Sequence, residues 1–324
     1  MIISTDTTWH SGEVHDLSTT TVQIAFGSTL TIDGGCTVNG GSIQAFGTLN
    51  VAGTTDSVVS LNNVSIGYNG PDIGHPGQVI ITHANILGGY ILYPTGNYVA
   101  GSISLIDSTI TNLNGYIYLV YPLSDAHIEG NIFKNSGGIT AANDGASIFI
   151  TNNVFIGQTS GYAVENLASY SGATNVDNNS FLSTNLIALS LRSGYSSAAI
   201  SAANNYFGTT DIAVIDAMIY DKSDNLSVFS YISNSHTDAP SVGTPIIDET
   251  APIVISFNPT DGSSTASINE NITLTFNELI QKGIGTIQIR TDSANGKVIE
   301  SFNAATSSNI SINRPINIRT HPSE

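Results

Sequence analysis

Along the middle of the chain, apolar or small side chains recur two positions apart in short runs: Ile80 and Thr82, Ile103 and Leu105, Ala126 and Ile128, Ile148 and Ile150, Thr174 and Val176, Ile200 and Ala202. The residues between and after them are mixed and mostly polar, as in His127 and Glu129 or Asn175 and Asp177. Alternation of period two predicts strands with one buried face. A second signal follows most of these runs, an Asn with an aromatic two places later: Asn131 and Phe133, Asn153 and Phe155, Asn179 and Phe181, Asn205 and Phe207. Extending the alignment backwards adds Ser108, Asn85 and Val64, so that positions 64, 85, 108, 131, 153, 179 and 205 are expected to be equivalent, at intervals of 21 to 26 residues. Such a period marks a stacked repeat.

A unit of this length, holding two or three short strands, cannot bury its apolar face alone. Stacking parallel copies about 4.8 Å apart supplies both the backbone partners and a shared core. The expected architecture is therefore all-β, a parallel β-helix, with Phe133, Phe155, Phe181 and Phe207 stacked inside and the Asn side chains forming a hydrogen-bonded ladder at a bend. Asn suits the bend because it tolerates left-handed dihedrals and its amide both donates and accepts.

Composition agrees: 31 Gly and only 10% charged residues among 324 suit many short strands and tight turns. The net charge of −17, with Lys134, Arg192 and Lys222 the basic residues before position 240, disfavours nucleic acid, anionic membrane surfaces and strongly anionic polysaccharides as partners. Cys36 is the single cysteine, so no intrachain disulfide framework exists. The opening "MIISTDTTWHSGEV" lacks the basic and apolar regions of a signal peptide, and no apolar run approaches membrane-spanning length; "GYIYLVYPL" at 115–123 is among the longest.

The spacing, the element "NNYFG" at 204–208, the Gly-rich stretch 27–54 and the closing segment 218–234 together resemble the right-handed parallel β-helix repeat proteins, the pectin-lyase-like superfamily in its broad sense. That resemblance implies a β-helix over 27–236, with residues 1–26, including Trp9, covering its open end. Downstream, Thr250-Ala251-Pro252, Asn258-Pro259-x-Asp261-Gly262 and Leu274-Thr275-Phe276-Asn277-Glu278 resemble bacterial Ig-like domains of the kind found in S-layer and other large surface proteins. The expected plan is a linker at 237–250, a partial Ig-like β-sandwich at 251–312 and a disordered tail at 313–324. It implies a structural or adhesive segment of an exported bacterial surface protein, part of something larger, with polysaccharide or cell-surface glycan as partner. A carbohydrate-active β-helix enzyme (lyase, epimerase or hydrolase) is the alternative.

Three outward groups are candidates for chemistry. His127, Glu129 and Asp177 fall in neighbouring columns of one face, where a carboxylate and an imidazole can act as base and acid in polysaccharide cleavage. Against catalysis, uronate lyases and epimerases need a cation or metal at the developing enolate, and the β-helix offers few basic residues. Tyr90 and Tyr93 in "YILYP" align with Tyr118 and Tyr121 in "YLVYP", so Tyr90 is expected near Tyr118 and Tyr93 near Tyr121, a row suited to stacking on sugar rings. Tyr98, Tyr116, Tyr162, Tyr170 and Tyr195 lie nearby in sequence. Asp211, Asp216, Asp221 and Asp224 are candidate Ca²⁺ ligands, although neither an EF-hand nor a Gly-Gly-x-Gly-x-Asp nonapeptide is present; no other cofactor is implied.

Overall fold

Turn after turn, the N-terminal part of the chain lays one short strand onto each of three parallel faces. The computed structural model describes residues 1–68, 77–94, 101, 103–159, 161–184, 186–232, 254–260, 262–263, 271–276, 285–291 and 295–311. The chain divides into two units, Met1–Ile247 and Asp248–Glu324. In the first unit, one face is a nine-stranded sheet running from Thr7–Trp9 to Ser201–Ala203, and the second is an eight-stranded sheet from Val14–Asp16 to Ser180–Phe181. The third face is split into two five-stranded sheets, one from Ile2–Ile3 to Tyr90–Pro94 and the other from Ile117–Val120 to Ile219–Tyr220. Strands pair in parallel, for example Ala126 with Ile148 and Ile132 with Val154. This is a parallel β-helix of about eight turns.

On the first face the predicted alternation holds. Ile103, Leu105, Ala126, Ile128, Ile148, Ile150, Thr174, Val176, Ile200 and Ala202 are all buried. One turn is displaced by a residue: in Gln78–Thr82 the buried pair is Val79 and Ile81, and the expected Ile80 and Thr82 face outward, half-buried. The same offset removes Asn85 from the Asn column. Asn85 pairs with Thr109 and is exposed, so Ala84 occupies the position equivalent to Ser108. Val59 is in register with Ala84, whereas Val64 precedes a strand of the third face. The cause is physical at Ala84: it carries no side-chain amide, so the polar Asn85 beside it drew the alignment.

From Ser108 onward the ladder is continuous. The Ser108 N–H donates to Asn131 Oδ1 (3.0 Å), the Asn131 N–H to Asn153 Oδ1 (3.0 Å), the Asn153 N–H to Asn179 Oδ1 (2.9 Å) and the Asn179 N–H to Asn205 Oδ1 (2.9 Å). The Nδ2 groups donate inward to the carbonyls of Leu105, Ile128, Ile150 and Val176 at 2.6–2.8 Å. All four Asn side chains are fully buried, and these bonds supply the partners that burial demands.

The left-handed backbone is not where it was expected. It falls on the residue before each ladder position: His83 (φ 48°), Asp107 (48°), Gly130 (69°), Asn152 (57°), Asn178 (60°) and Asn204 (55°). The doubled Asn of "NNVF", "NNSF" and "NNYF" thus divides two tasks, the first residue taking the αL turn and the second the amide bonds. At Gly130 a Cβ would displace the Asp107 carboxylate of the preceding turn, and glycine takes the left-handed turn without that contact. A second left-handed column runs along the other end of the second face through Gly40, Asn63, Gly88, Asn112, Asn135 and Gly157. Inside the bends, Phe133, Phe155, Phe181 and Phe207 stack as predicted, with successive ring centroids 4.7, 5.2 and 5.5 Å apart.

Residues 1–26 do not form a separate cap. Their strands Ile2–Ile3, Thr7–Trp9 and Val14–Asp16 are already the first members of the three faces, and Trp9 is buried, with its ring stacked on His15 (4.0 Å). The described part of the second unit consists of two antiparallel pairs, Val254–Asn258 with Thr273–Phe276 and Thr286–Arg290 with Val298–Asn303. Antiparallel pairing is what an Ig-like sandwich requires. The expected linker at 237–250 and tail at 313–324 lie outside the described residues.

Two substitutions separate the ladder from its sequence neighbours. Asn153→Ala strands the Asn131 N–H and the Ile128 carbonyl and should lower unfolding free energy by about 3 kcal/mol, whereas Asn85→Ala should change it by less than about 0.5 kcal/mol, both read from urea denaturation. Phe155→Ala empties the middle of the aromatic column and should cost about 3–5 kcal/mol in the same assay, with Phe155→Leu costing less.

Candidate functional site

On the first face, Ile106, Glu129, Thr151, Asp177 and Ala203 form one outward column, and Ser104, His127, Phe149, Asn175 and Ser201 form the next. Asp177 therefore lies in the Glu129 column as expected, two strands away, which is about 10 Å by strand spacing. His127 does not reach Asp177; its ring stacks on Phe149 with centroids 5.2 Å apart. Asp177 Oδ1 accepts the Ala203 N–H (2.7 Å), and partial burial pushes the carboxyl above the ordinary range despite that bond. These three residues share a face, but no two of them are paired among the described residues.

The tyrosines fall into two groups because the third face is broken. Tyr90 pairs with Ser65 in the first five-stranded sheet, and its ring lies beside Gly115 rather than Tyr118. The Asn114 N–H donates to Gly89 O (2.8 Å), which puts Tyr90 level with Asn114 and Gly115. Tyr93 pairs through its backbone with Gly67, after a bulge centred on Leu92 (φ 56°). Its side chain, like all of Tyr98, lies outside the described residues. Tyr118 stands on the outer side of the second sheet of this face and Tyr121 just past the strand end, with the Tyr121 ring 6.3 Å from that of Tyr170. Burial raises the Tyr121 phenol, with Tyr170, Asp144 and Tyr195 adding to the shift.

The four Asp side chains do not gather in one place. Asp211 caps the helix Ile212–Ala217, accepting the Ala213 N–H (3.0 Å), and Asp216 lies within that helix. Asp221 is buried and accepts the N–H groups of Ser223 (2.7 Å) and Ile232 (2.9 Å), while Asp224 accepts the Asp221 N–H (3.0 Å). These carboxylates close a turn, and among the described residues no group of three or more His, Cys, Asp or Glu side chains comes together to hold a cation.

What the sequence reading missed is the outer side of the second sheet on the third face. The first face alternates buried and half-buried residues along most of its strands, but Ile139–Asn143 is buried at every position and Ile187–Leu191 at all but the first. The outward column here is Tyr118, Thr140, Glu165, Ser190 and Tyr220, of which Thr140, Glu165 and Ser190 are buried although they point away from the core. Glu165 is held by Arg192, whose Nη2 lies 2.7 Å from Glu165 Oε2; the Glu165 side chain is 8% exposed and the Arg192 side chain 44%. Beside it, the Tyr162 hydroxyl lies 2.7 Å from Thr140 Oγ1, and its ring stacks on Tyr116 at 4.7 Å. Burial drives the Tyr162 phenol well above its ordinary range. The Tyr116 hydroxyl fits over Gly161, where any Cβ would collide with it. The available signal was the 27-residue separation of Glu165 and Arg192, about one period, which places opposite charges on adjacent turns.

Chemically this is a neutralised ion pair at the surface, with hydrogen-bonding capacity left on the guanidinium and an edge of tyrosine. Among the described residues no helix is long and apolar enough to cross a membrane. No curated protein and no solved structure matches the chain. Residues 248–317 match the family model described as a bacterial Ig-like domain, so the chain is a parallel β-helix followed by a bacterial Ig-like domain.

Proposed function

We propose that this chain is a structural and adhesive segment of an exported bacterial surface protein, in which the β-helix presents a carbohydrate-binding face and the Ig-like domain acts as a spacer. The tandem order carries the reading: Ig-like domains of this family occur in bacterial surface proteins, and here one follows a β-helix. Two features of the β-helix favour adhesion. Its first face is one continuous nine-stranded sheet that ties successive turns together. Its third face also gathers Tyr116, Tyr118, Tyr121, Tyr162 and Tyr170, whose rings have an apolar body and a polar tip.

A hydrolytic reading has one observation in its favour, the burial-raised carboxyl of Asp177 in the column of Glu129. A raised pKa moves a carboxyl toward general acid work, and a second carboxylate on the same face supplies a base. Adhesion remains the preferred reading because Asp177 already bonds the next turn and His127 is packed against Phe149.

The full chain should retain plant, algal or microbial polysaccharides in a binding panel without shortening them. Tyr118→Ala should weaken retention about five-fold with the fold intact. Release of reducing ends or unsaturated products, abolished by Glu129→Gln, would overturn the adhesive reading. A separate measurement addresses Asp177. Its folded pKa is raised, so the folded state holds the proton more tightly than the unfolded chain; the stability it contributes is present at low pH and declines as pH rises from the ordinary aspartate value of 3.8 through the folded value. Asp177→Asn should flatten that decline in thermal unfolding scans across acidic pH and leave the protein no less stable at neutral pH.

A further inference from the structure

Glu165 poses a specific question. An outward-pointing carboxylate on a β-helix face is ordinarily solvated, yet this one is buried and joined to a guanidinium that is itself half in solvent. A pair of this kind gives little net stabilisation, because desolvation offsets the attraction. It does, however, fix two complementary groups in place. The Arg192 side chain makes one hydrogen bond among those described, from Nη2, so the rest of its donor fork is directed elsewhere. Beside it stands Tyr195 (50% exposed), close enough to Arg192 to act on it electrostatically, whereas Tyr118 lies two strands from Glu165. Tyr162 and Thr140 close the floor.

The charges decide which ligand fits. Within the site, plus one and minus one cancel, so neither a lone anion nor a lone cation gains net attraction there. At longer range the chain carries −17, which repels polyanions. What the site offers is an acceptor next to a fan of donors, flanked by aromatic edges. Two hydroxyls on neighbouring carbons match this, since each both donates and accepts, and the C–H face of the same ring can lie on a tyrosine.

We propose that Glu165, Arg192 and Tyr195 form a saccharide subsite that takes an uncharged sugar residue through a pair of adjacent hydroxyls. The proposal rests on the carbohydrate-binding reading above and narrows it to one face and one class of glycan. Thr140 and Tyr162 act as positioning residues that hold the Glu165 side of the pair.

The test is titration calorimetry of the full chain with mannan, dextran and laminarin as neutral probes and polygalacturonate as the anionic one. Wild-type protein should bind at least one neutral probe, with affinity nearly independent of salt. Glu165→Gln should lower that affinity by about ten-fold or more while the thermal unfolding midpoint stays close to wild type. Arg192→Lys keeps the charge but loses the fork, and it should produce a similar loss, so the proposal remains testable if one variant folds poorly. Neutral-glycan binding that survives both Glu165→Gln and Arg192→Lys but falls in Tyr118→Ala would overturn the subsite and leave the adhesive reading standing. Salt-sensitive binding of polygalacturonate alone would do the same. Binding of no polysaccharide would overturn both.

Discussion

A backbone that turns a corner inside a protein leaves N–H and C=O groups without strand partners, and in this β-helix the Asn side chains at the bend supply the missing ones. Each Oδ1 takes the backbone N–H of the turn before, and each Nδ2 reaches the carbonyl of a strand on the first face. Without such bonds the corner would bury unsatisfied groups, and the first and second faces could not meet at a sharp angle. The Phe column depends on that angle. It lies directly beyond the ladder, and its rings sit 4.7 to 5.5 Å apart, close to the spacing that parallel strands impose. Packing and hydrogen bonding thus repeat at one interval, set by the backbone.

The stacked architecture was readable wherever the bend carries side chains with strong preferences. Asn-Asn followed by a residue and Phe marks the turns at 153, 179 and 205 without ambiguity, because a left-handed residue, an amide and a ring appear together. Where the ladder begins, the signal fades: the Ala84 N–H donates to Ser108 Oγ, a contact that leaves no mark in the Ala84 side chain itself. The displaced turn at 78–85 is the direct result. The first turns escaped recognition because Ile2–Ile3 and Val14–Asp16 are too short to show alternation, although they pair in register with later strands.

The candidate site was harder to read because it depends on the one face that breaks the rules. Between Tyr90–Pro94 and Ile117–Val120 the third sheet is interrupted, and the turns after it grow longer, with the eight-residue strand Tyr162–Ser169 carrying part of the added length. A bulge opposite Ala141 and Ala142 shifts the later half of that strand. Period-two reasoning assigns Glu165 to solvent; it cannot see that Arg192, on the next turn, folds over it. The fixed bends also explain why variation concentrates here: two corners are held by left-handed columns, and only the third side is left to absorb extra residues.

The amide ladder has a direction. Every bend lends its N–H to an oxygen that arrives only with the following turn, 22 to 26 residues later in the chain. During vectorial synthesis the most recently completed corner therefore waits, still wetted, until its successor emerges and dries it. A β-helix built in this way consolidates one step behind the ribosome, and at each moment its growing end is its softest part.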